Sequence, residues 1–254
     1  MPLRPFGKSV VWAPTGPEAS AFDKLAIFEM EVPERSLMES AGRSAAQLLE
    51  KLFPTGEVTV VVGSGNNGGD GLILARTLQS WGRETKVVGV GEHLLDSRLG
   101  NGWPMEIGGT ETFSSSPSLI VDAILGTGMV GKPRKEQSKA IQSINRSKCP
   151  VLSLDVPSGL NSDNGKALGE IISADVTIAF GWPKLGTLLQ EGRAQAGRLI
   201  AIEIGLPPPG PASFGATVVT PGWALGAKPI RRYDSHKNSV GSLLLVAGQA
   251  GMAG

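Results

Sequence analysis

The sequence predicts an α/β protein, a doubly wound and mostly parallel sheet with helices on both faces in three layers, preceded by N-terminal helices. Three observations carry this prediction. Short β-branched runs recur along the chain, most of them are apolar on both faces, and the segments between them have helical spacing. A strand buried on both sides needs helices above and below it, so the pattern specifies layers and not a sheet open to water.

In chain order, residues 19–30 and 36–53 come first. Both carry apolar residues at helical spacing, the second with Leu37, Met38, Ala41, Ala45, Leu48 and Leu52, and they predict an N-terminal helical layer. VTVVV at 58–62 opens the sheet, a glycine-rich turn follows, residues 72–81 read as a helix, and TKVVGV at 85–90 as the second strand. Residues 100–117, rich in Gly, Ser and Thr and without periodicity, read as a surface loop. SLIVDAI at 118–124, a helix over 135–147, PVLSLDV at 150–156, DVTIAF at 175–180 and RLIAIEI at 198–204 complete the series. Pro207-Pro208-Pro209-Gly210-Pro211 can continue neither helix nor ladder and marks a boundary. Beyond it SLLLVAG at 242–248 runs into Gly248, Gly251 and Gly254 without the helix such a motif needs. Residues 1–210 therefore read as the main domain, and 211–254 as a linker and the truncated start of a second.

A length of 254 residues with 41% hydrophobic content suffices for a full core. The formal net charge of +1, without a block of lysine and arginine, offers no electrostatic footprint for nucleic acid or a membrane surface, and both partners are discounted. Cys149 is the single cysteine and can form no intrachain disulfide; with no charged-then-apolar leader and no long apolar span, the expected location is the cytoplasm. Cys149 itself reads as a small buried hydrophobe, and His93 and His236 share no metal-ligand spacing, which argues against zinc.

Chemistry concentrates in VTVVVGSGNNGGDGLIL, from Val58 to Leu74. Five glycines and the side-chain oxygens of Asn66, Asn67 and Asp70 fall between Gly63 and Gly71, so amides can approach a ligand while oxygens face it. Gly63, Gly65 and Gly68 satisfy G-x-G-x-x-G, the phosphate-binding fingerprint of nicotinamide- and flavin-binding folds. That fold also wants an acid at the end of the second strand, but Glu84 precedes TKVVGV and Glu92 comes late. Asp70 suits the helix dipole yet repels a phosphate crowded onto the same amides, and a cation between them resolves the conflict. Two further loops fall at strand ends, where ligands of doubly wound sheets gather: Asp122 leads into Gly126-Thr127-Gly128, and Asp155 into Pro157-Ser158-Gly159. One such loop reads as turn glycines with a capping aspartate. Three together, each pairing glycine with an oxygen side chain, read as a site.

On these residues the chain resembles the NAD(P)H-hydrate epimerase family, whose N-terminal domain carries a G-x-G-N-N-G-G-D-G loop. The resemblance covers residues 22–206 and extends in order to LMESAG at 37–42, VDAILGTG at 121–128, LDVPSGLNSDNG at 154–165 and ADVTIAFGWPKLG at 174–186. Ser40 stands where the family usually has asparagine, the stretch between Gly91 and Ser118 is abbreviated, and Asn238 replaces a usual glycine. From Arg231 onward the chain is similar to the opening of the nucleotide-dependent hydrate dehydratase domain often fused behind the epimerase.

The resemblance implies a substrate, NADHX or NADPHX, that carries a hydroxyl on C6 of its reduced nicotinamide ring, and a reaction that interconverts the two C6 epimers without net redox. It implies that Asn66, Asn67, Gly68, Gly69 and Asp70, together with Gly126, Thr127, Gly128, Met129, Val130, Gly131 and Lys132, hold the substrate, largely through its phosphates, and that Asp155 touches it. A potassium ion is implied at Asn67, Asp122 and Ser158. Asp155 is the expected catalytic group, an acid to the departing C6 hydroxyl and a base to returning water. Lys184, in the WPKLG turn, stays open between a solvated lysine and a charge-balancing neighbour of the site. The apolar N-terminal helices offer a face for a homodimer. Two other readings compete: an NAD(P)-dependent oxidoreductase, resting on G-x-G-x-x-G, and a non-catalytic nucleotide-binding module.

Overall fold

The computed structural model describes residues 11–91, 105, 107–109, 117–167, 169–210, 212–228, 230, 232–236, 239, 242 and 244. One compact unit spans Val11–Val218, and a second contains the residues from Val219 onward. The larger unit runs β1 (Val11–Trp12), α1 (Gly16–Phe28), α2 (Glu34–Leu52), β2 (Val58–Val62), α3 (Asn66–Ser80), β3 (Thr85–Gly89), β4 (Ile107–Gly108), β5 (Leu119–Ala123), α4 (Lys135–Arg146), β6 (Val151–Leu154), β7 (Val176–Phe180), α5 (Gln190–Gln195), β8 (Arg198–Ile202) and β9 (Thr217–Val218). The smaller unit contributes α6 (Pro221–Ala227), capped by the Thr220 hydroxyl, which accepts the Trp223 amide at 3.1 Å. Of SLLLVAG only Ser242 and Leu244 are described, and Gly248, Gly251 and Gly254 lie outside the described residues.

Strands β2 to β8 form one sheet in the order β4-β3-β2-β5-β6-β7-β8, every neighbouring pair parallel. Alternation along the strands sorts the core into two. Val58, Val60 and Val62 pack beneath α2 and α3 with Ala45, Leu49, Leu74 and Leu78, whereas Val61 and Ile120 face Ile141 and Ile144 of α4. This is the predicted three-layer sandwich. Strand order turns at β2, with β3 to one side and β5 to the other, so the crevice at the carboxyl ends of β2 and β5 is the topological switch point where such sheets bind ligands.

Most elements fall within a few residues of the segments read from the sequence, and the differences have physical causes. Helix α3 starts at Asn66, six residues before its apolar spacing begins, because the glycine-rich stretch is itself helical. Helix α1 starts at Gly16 because Thr15 and Glu18 form a reciprocal cap, the Thr15 hydroxyl accepting the Glu18 amide and the Glu18 carboxylate accepting the Thr15 amide. Within residues 100–117, expected as loop, Ile107–Gly108 forms the edge strand β4 on β3; two residues are too few to carry a periodicity.

Two contacts fix α3 on the sheet. A Cβ at Gly68 would stand 2.0 Å from the Gly63 carbonyl oxygen, and one at Gly71 would stand 2.6 Å from the Ala123 Cβ, so only glycine lets this helix lie so close. Strand β1 pairs antiparallel with β9, and Trp12, Phe22, Trp182 and Phe214 pack at steep angles, with centroids 4.9–6.0 Å apart. Among the described residues, no helix is long and apolar enough to cross a membrane.

Replacing Gly71 by Ala overfills this contact and is expected to destabilise the protein by roughly 1–3 kcal/mol. Gly128→Ala, whose Cβ would have nothing within 4 Å, is the matched control and is expected to leave thermal unfolding unchanged.

Candidate active site

A cleft of about 550 Å³ opens at the switch point, lined by the first turn of α3, the loop after β5, Asp155 after β6, the segment after β7, and residues of α1 and α2. That volume lies within the usual range for small-molecule sites. Asn66, Asn67, Asp70, Gly126, Thr127, Gly128, Met129, Val130, Lys132 and Asp155 line it. Gly68 and Gly69 are buried beneath them, Gly131 turns the loop at φ +77°, and Asp122 and Ser158 are buried behind the wall. No side chain caps α3, so its first amides are left for a ligand.

Asp122, at the end of β5, is fully buried and saturated with donors. Its Oδ1 accepts the Ser158 hydroxyl at 2.5 Å and the Ile124 amide at 3.3 Å; its Oδ2 accepts the Ser153 hydroxyl at 2.8 Å and the Ser158 amide at 2.9 Å. Burial pushes this carboxyl above its usual range, and the Ser158 and Ser153 hydrogen bonds pull it back. The Ser158 Oγ also accepts the Leu125 amide at 2.9 Å. Asn67 joins the same knot, its Nδ2 donating to the Leu125 carbonyl at 2.9 Å, while its buried Oδ1 has no partner among the described residues. The turn that carries Ser158 depends on Gly159 at φ +95°, where a Cβ would also stand 2.1 Å from the Glu170 carbonyl oxygen.

Asp155 occupies the left-handed region at φ +65°, a strained setting for a residue other than glycine. Its Oδ1 accepts the Lys184 ammonium, which also donates to the Phe180 carbonyl at 2.9 Å. Lys184 is only 4% exposed, so the solvated alternative does not hold: it is a buried partner of the site. The WPKLG turn places it there, because Thr187 and Leu185 fix the backbone around it through bonds to the Lys184 and Pro14 carbonyls.

Several lining residues were not singled out as site residues by the sequence. Asp23 reaches the cleft from α1 and Glu34 from the start of α2, Phe180 and Trp182 flank Lys184's turn, and Arg134 adds a cation two residues past Lys132. Asp23 falls on an unremarked face of its helix, and only the topology brings α1 against the strand ends. Burial raises the Asp23 carboxyl above its usual range, with Lys184 opposing and Asp155 adding to the rise. Strand β3 ends at Gly89 and is followed by Val90 and Gly91, so among the described residues no carboxylate stands where dinucleotide oxidoreductases hold a ribose. Among the described residues, no three His, Cys, Asp or Glu side chains cluster to hold a metal.

The sequence profile of the family described as YjeF-related protein N-terminus matches residues 34–186. The chain is 32% identical over 262 residues to the bifunctional NAD(P)H-hydrate repair enzyme Nnr of Moorella thermoacetica, covering 94% of this chain and 49% of that protein. It is 31% identical over 197 residues to the NAD(P)H-hydrate epimerase of Limosilactobacillus fermentum, covering 74% of this chain and 95% of that protein. The chain spans about half the length of the bifunctional relatives it matches. The crystal structure of yeast ynu0 shares the fold, with a TM-score of 0.63 at 24% identity over 72% of this chain and 86% of that one.

Ser158→Ala strips Asp122 of a donor and orphans the Leu125 amide, an expected loss of about 1–3 kcal/mol in urea unfolding. The loss is expected to widen as the pH rises: a carboxyl raised further above its unfolded value gives stability that is complete at low pH and disappears as the pH climbs through its folded value. A buffer free of alkali cations is the condition for the measurement.

Proposed function

We propose that this chain, which belongs to the YjeF-related protein N-terminus family, epimerises the hydrated nicotinamide ring of NADHX and NADPHX at C6. The observation that carries this reading is the convergence in one cleft of uncapped helix amides, the cations Lys132 and Arg134, and the buried Asp155–Lys184 pair. The first two features suit a pyrophosphate. The third suits proton exchange at a ring hydroxyl. Residues 1–210 are proposed to carry this activity and 211–254 to begin a second, dehydratase-type domain. A cytoplasmic location is supported by the free thiol of Cys149. Phe28, 78% exposed, and Met30 near the end of α1 support a homodimer through the N-terminal helices.

In this reading the ring-nitrogen lone pair expels the C6 oxygen as water, leaving an iminium, and water adds to the other face. Asn66, Asn67, Gly68, Gly69 and Asp70, and the loop 126–132, hold the dinucleotide, while Asp155 exchanges protons with the C6 oxygen. Lys184 keeps the Asp155 carboxylate aimed. A potassium ion is proposed at Asn67, Asp122 and Ser158. The residue types fit it, since amide, carboxylate and hydroxyl oxygens are the ligands hard cations take, and the buried Asn67 Oδ1 lacks a partner among the described residues, while Asp122 already accepts four protein donors. Bound there, the ion would supply positive charge beside the amides of α3, helping Asn67 to hold a phosphate.

Incubated with one epimer of NADHX, the purified protein is expected to equilibrate the two forms, read by chromatography, without changing their total or the absorbance of the cofactor. Asp155→Asn is expected to lower the rate by about 10²–10⁴-fold; a near-wild-type rate in that folded variant removes Asp155 from the chemistry. Exchanging potassium for choline is expected to lower both the rate and the unfolding temperature, and Asn67→Leu to abolish the difference in unfolding temperature.

A further inference from the structure

Three carboxyl groups, Asp23, Asp70 and Asp155, line the cleft with the buried ammonium of Lys184 and with Glu34 at the start of α2. Their circumstances differ. Asp155 accepts the Lys184 ammonium, and Lys184 spends its remaining reach on the Phe180 carbonyl. Glu34 accepts the Asn66 side-chain amide at 3.4 Å. Asp70 alone of the group is rooted in a helix packed tightly on the sheet, and among the described residues no donor reaches its carboxyl oxygens. With Lys184 bonded to Asp155 and to the Phe180 carbonyl, an ionised Asp70 would face the Asp155 carboxylate with no side-chain donor of its own among the described residues. Two carboxyl groups in unlike settings on one site divide the acid and base roles between them.

We propose that Asp70 is the general acid of the epimerisation, giving its proton to the departing C6 hydroxyl, while the Asp155 carboxylate, held by Lys184, takes the proton of the incoming water. This rests on the epimerase reading and deepens it. In the step, the C6–O bond breaks as the N1 lone pair forms N1=C6, and the Asp70 proton leaves with the hydroxyl as water. A water oxygen then bonds to C6 on the other face, the N1=C6 pair returns to N1, and the released proton passes to Asp155. Asp155 then gives its proton to solvent and Asp70 regains one from solvent, so nothing is oxidised and no co-reactant is needed. The electrostatics agree: burial first, and then the Asp155 charge and that of Asp23, raise the Asp70 carboxyl well above the usual carboxylate range, with Lys184 opposing.

The test compares wild type, Asp70→Asn and Asp70→Glu. The asparagine variant matches the protonated acid in shape. It is expected to fold and to lose about 10²-fold or more in kcat, a larger change than any in KM. The alkaline fall in wild-type kcat/KM, where Asp70 ionises, is expected to vanish in the residual activity of Asp70→Asn and to return in Asp70→Glu. Thermal unfolding reads the same group without substrate: a raised carboxyl costs stability as the pH climbs through its folded value, so the advantage of Asp70→Asn over wild type is expected to grow with pH. Asp70→Asn turnover within about threefold of wild type, a higher KM at unchanged kcat, or an unfolding difference that is flat with pH overturns the assignment. If wild type itself fails to equilibrate the epimers, it is the epimerase reading that falls.

Discussion

The Asp122 carboxylate holds the catalytic end of this sheet together. Buried beyond solvent at the tip of β5, it gathers donors from β6, from the turn after β6 and from its own strand end. Two stretches far apart along the chain, the end of β5 and residues 153–158, are thereby set to one geometry. An unsatisfied carboxylate in that position would be untenable, so the loops can close only in the arrangement that supplies all four bonds. Ser158 and Leu125 extend the same lattice to Asn67, the second residue of α3. The wall of the cleft is thus a by-product of satisfying one buried charge.

Upon that frame the cleft is chemically uneven. Lys132 and Arg134 are exposed cations beside helix amides that have no side-chain cap, whereas Asp23, Asp70 and Asp155 surround one buried ammonium. A ligand with charged oxygens on one part and a neutral, hydroxyl-bearing ring on another matches both regions. The strained backbone of Asp155 belongs to the second, and its cost is borne because the Lys184 pair and the Phe180 amide, 3.4 Å from Asp155 Oδ1, leave that side chain little freedom.

The sheet was legible in the sequence because its signal is local: a valine run such as 58–62 reports burial on both faces whatever lies around it. The oxygen side chains at strand ends were legible for a related reason, since topology sends every parallel strand's carboxyl end to the same edge. What could not be read is what depends on distant partners. Gly68 and Gly71 resemble ligand-facing glycines in sequence, yet their missing side chains make room for the Gly63 carbonyl and for Ala123. Asp23 has neighbours that give no hint of the cleft, and α1 brings it there, while the WPKLG turn left Lys184 open between solvent and site and only its burial decides. Strand β4 is shorter than any pattern that could announce it.

The pairing of β1 with β9 brings the first and last strands of the larger unit side by side, Val11 against Val218. A folded body whose two chain ends meet behaves as a cassette: it can be spliced into a loop of another polypeptide, or joined head to tail and reopened elsewhere, without stretching its interior. Gene fusions and rearrangements could therefore move this unit among architectures as a single part.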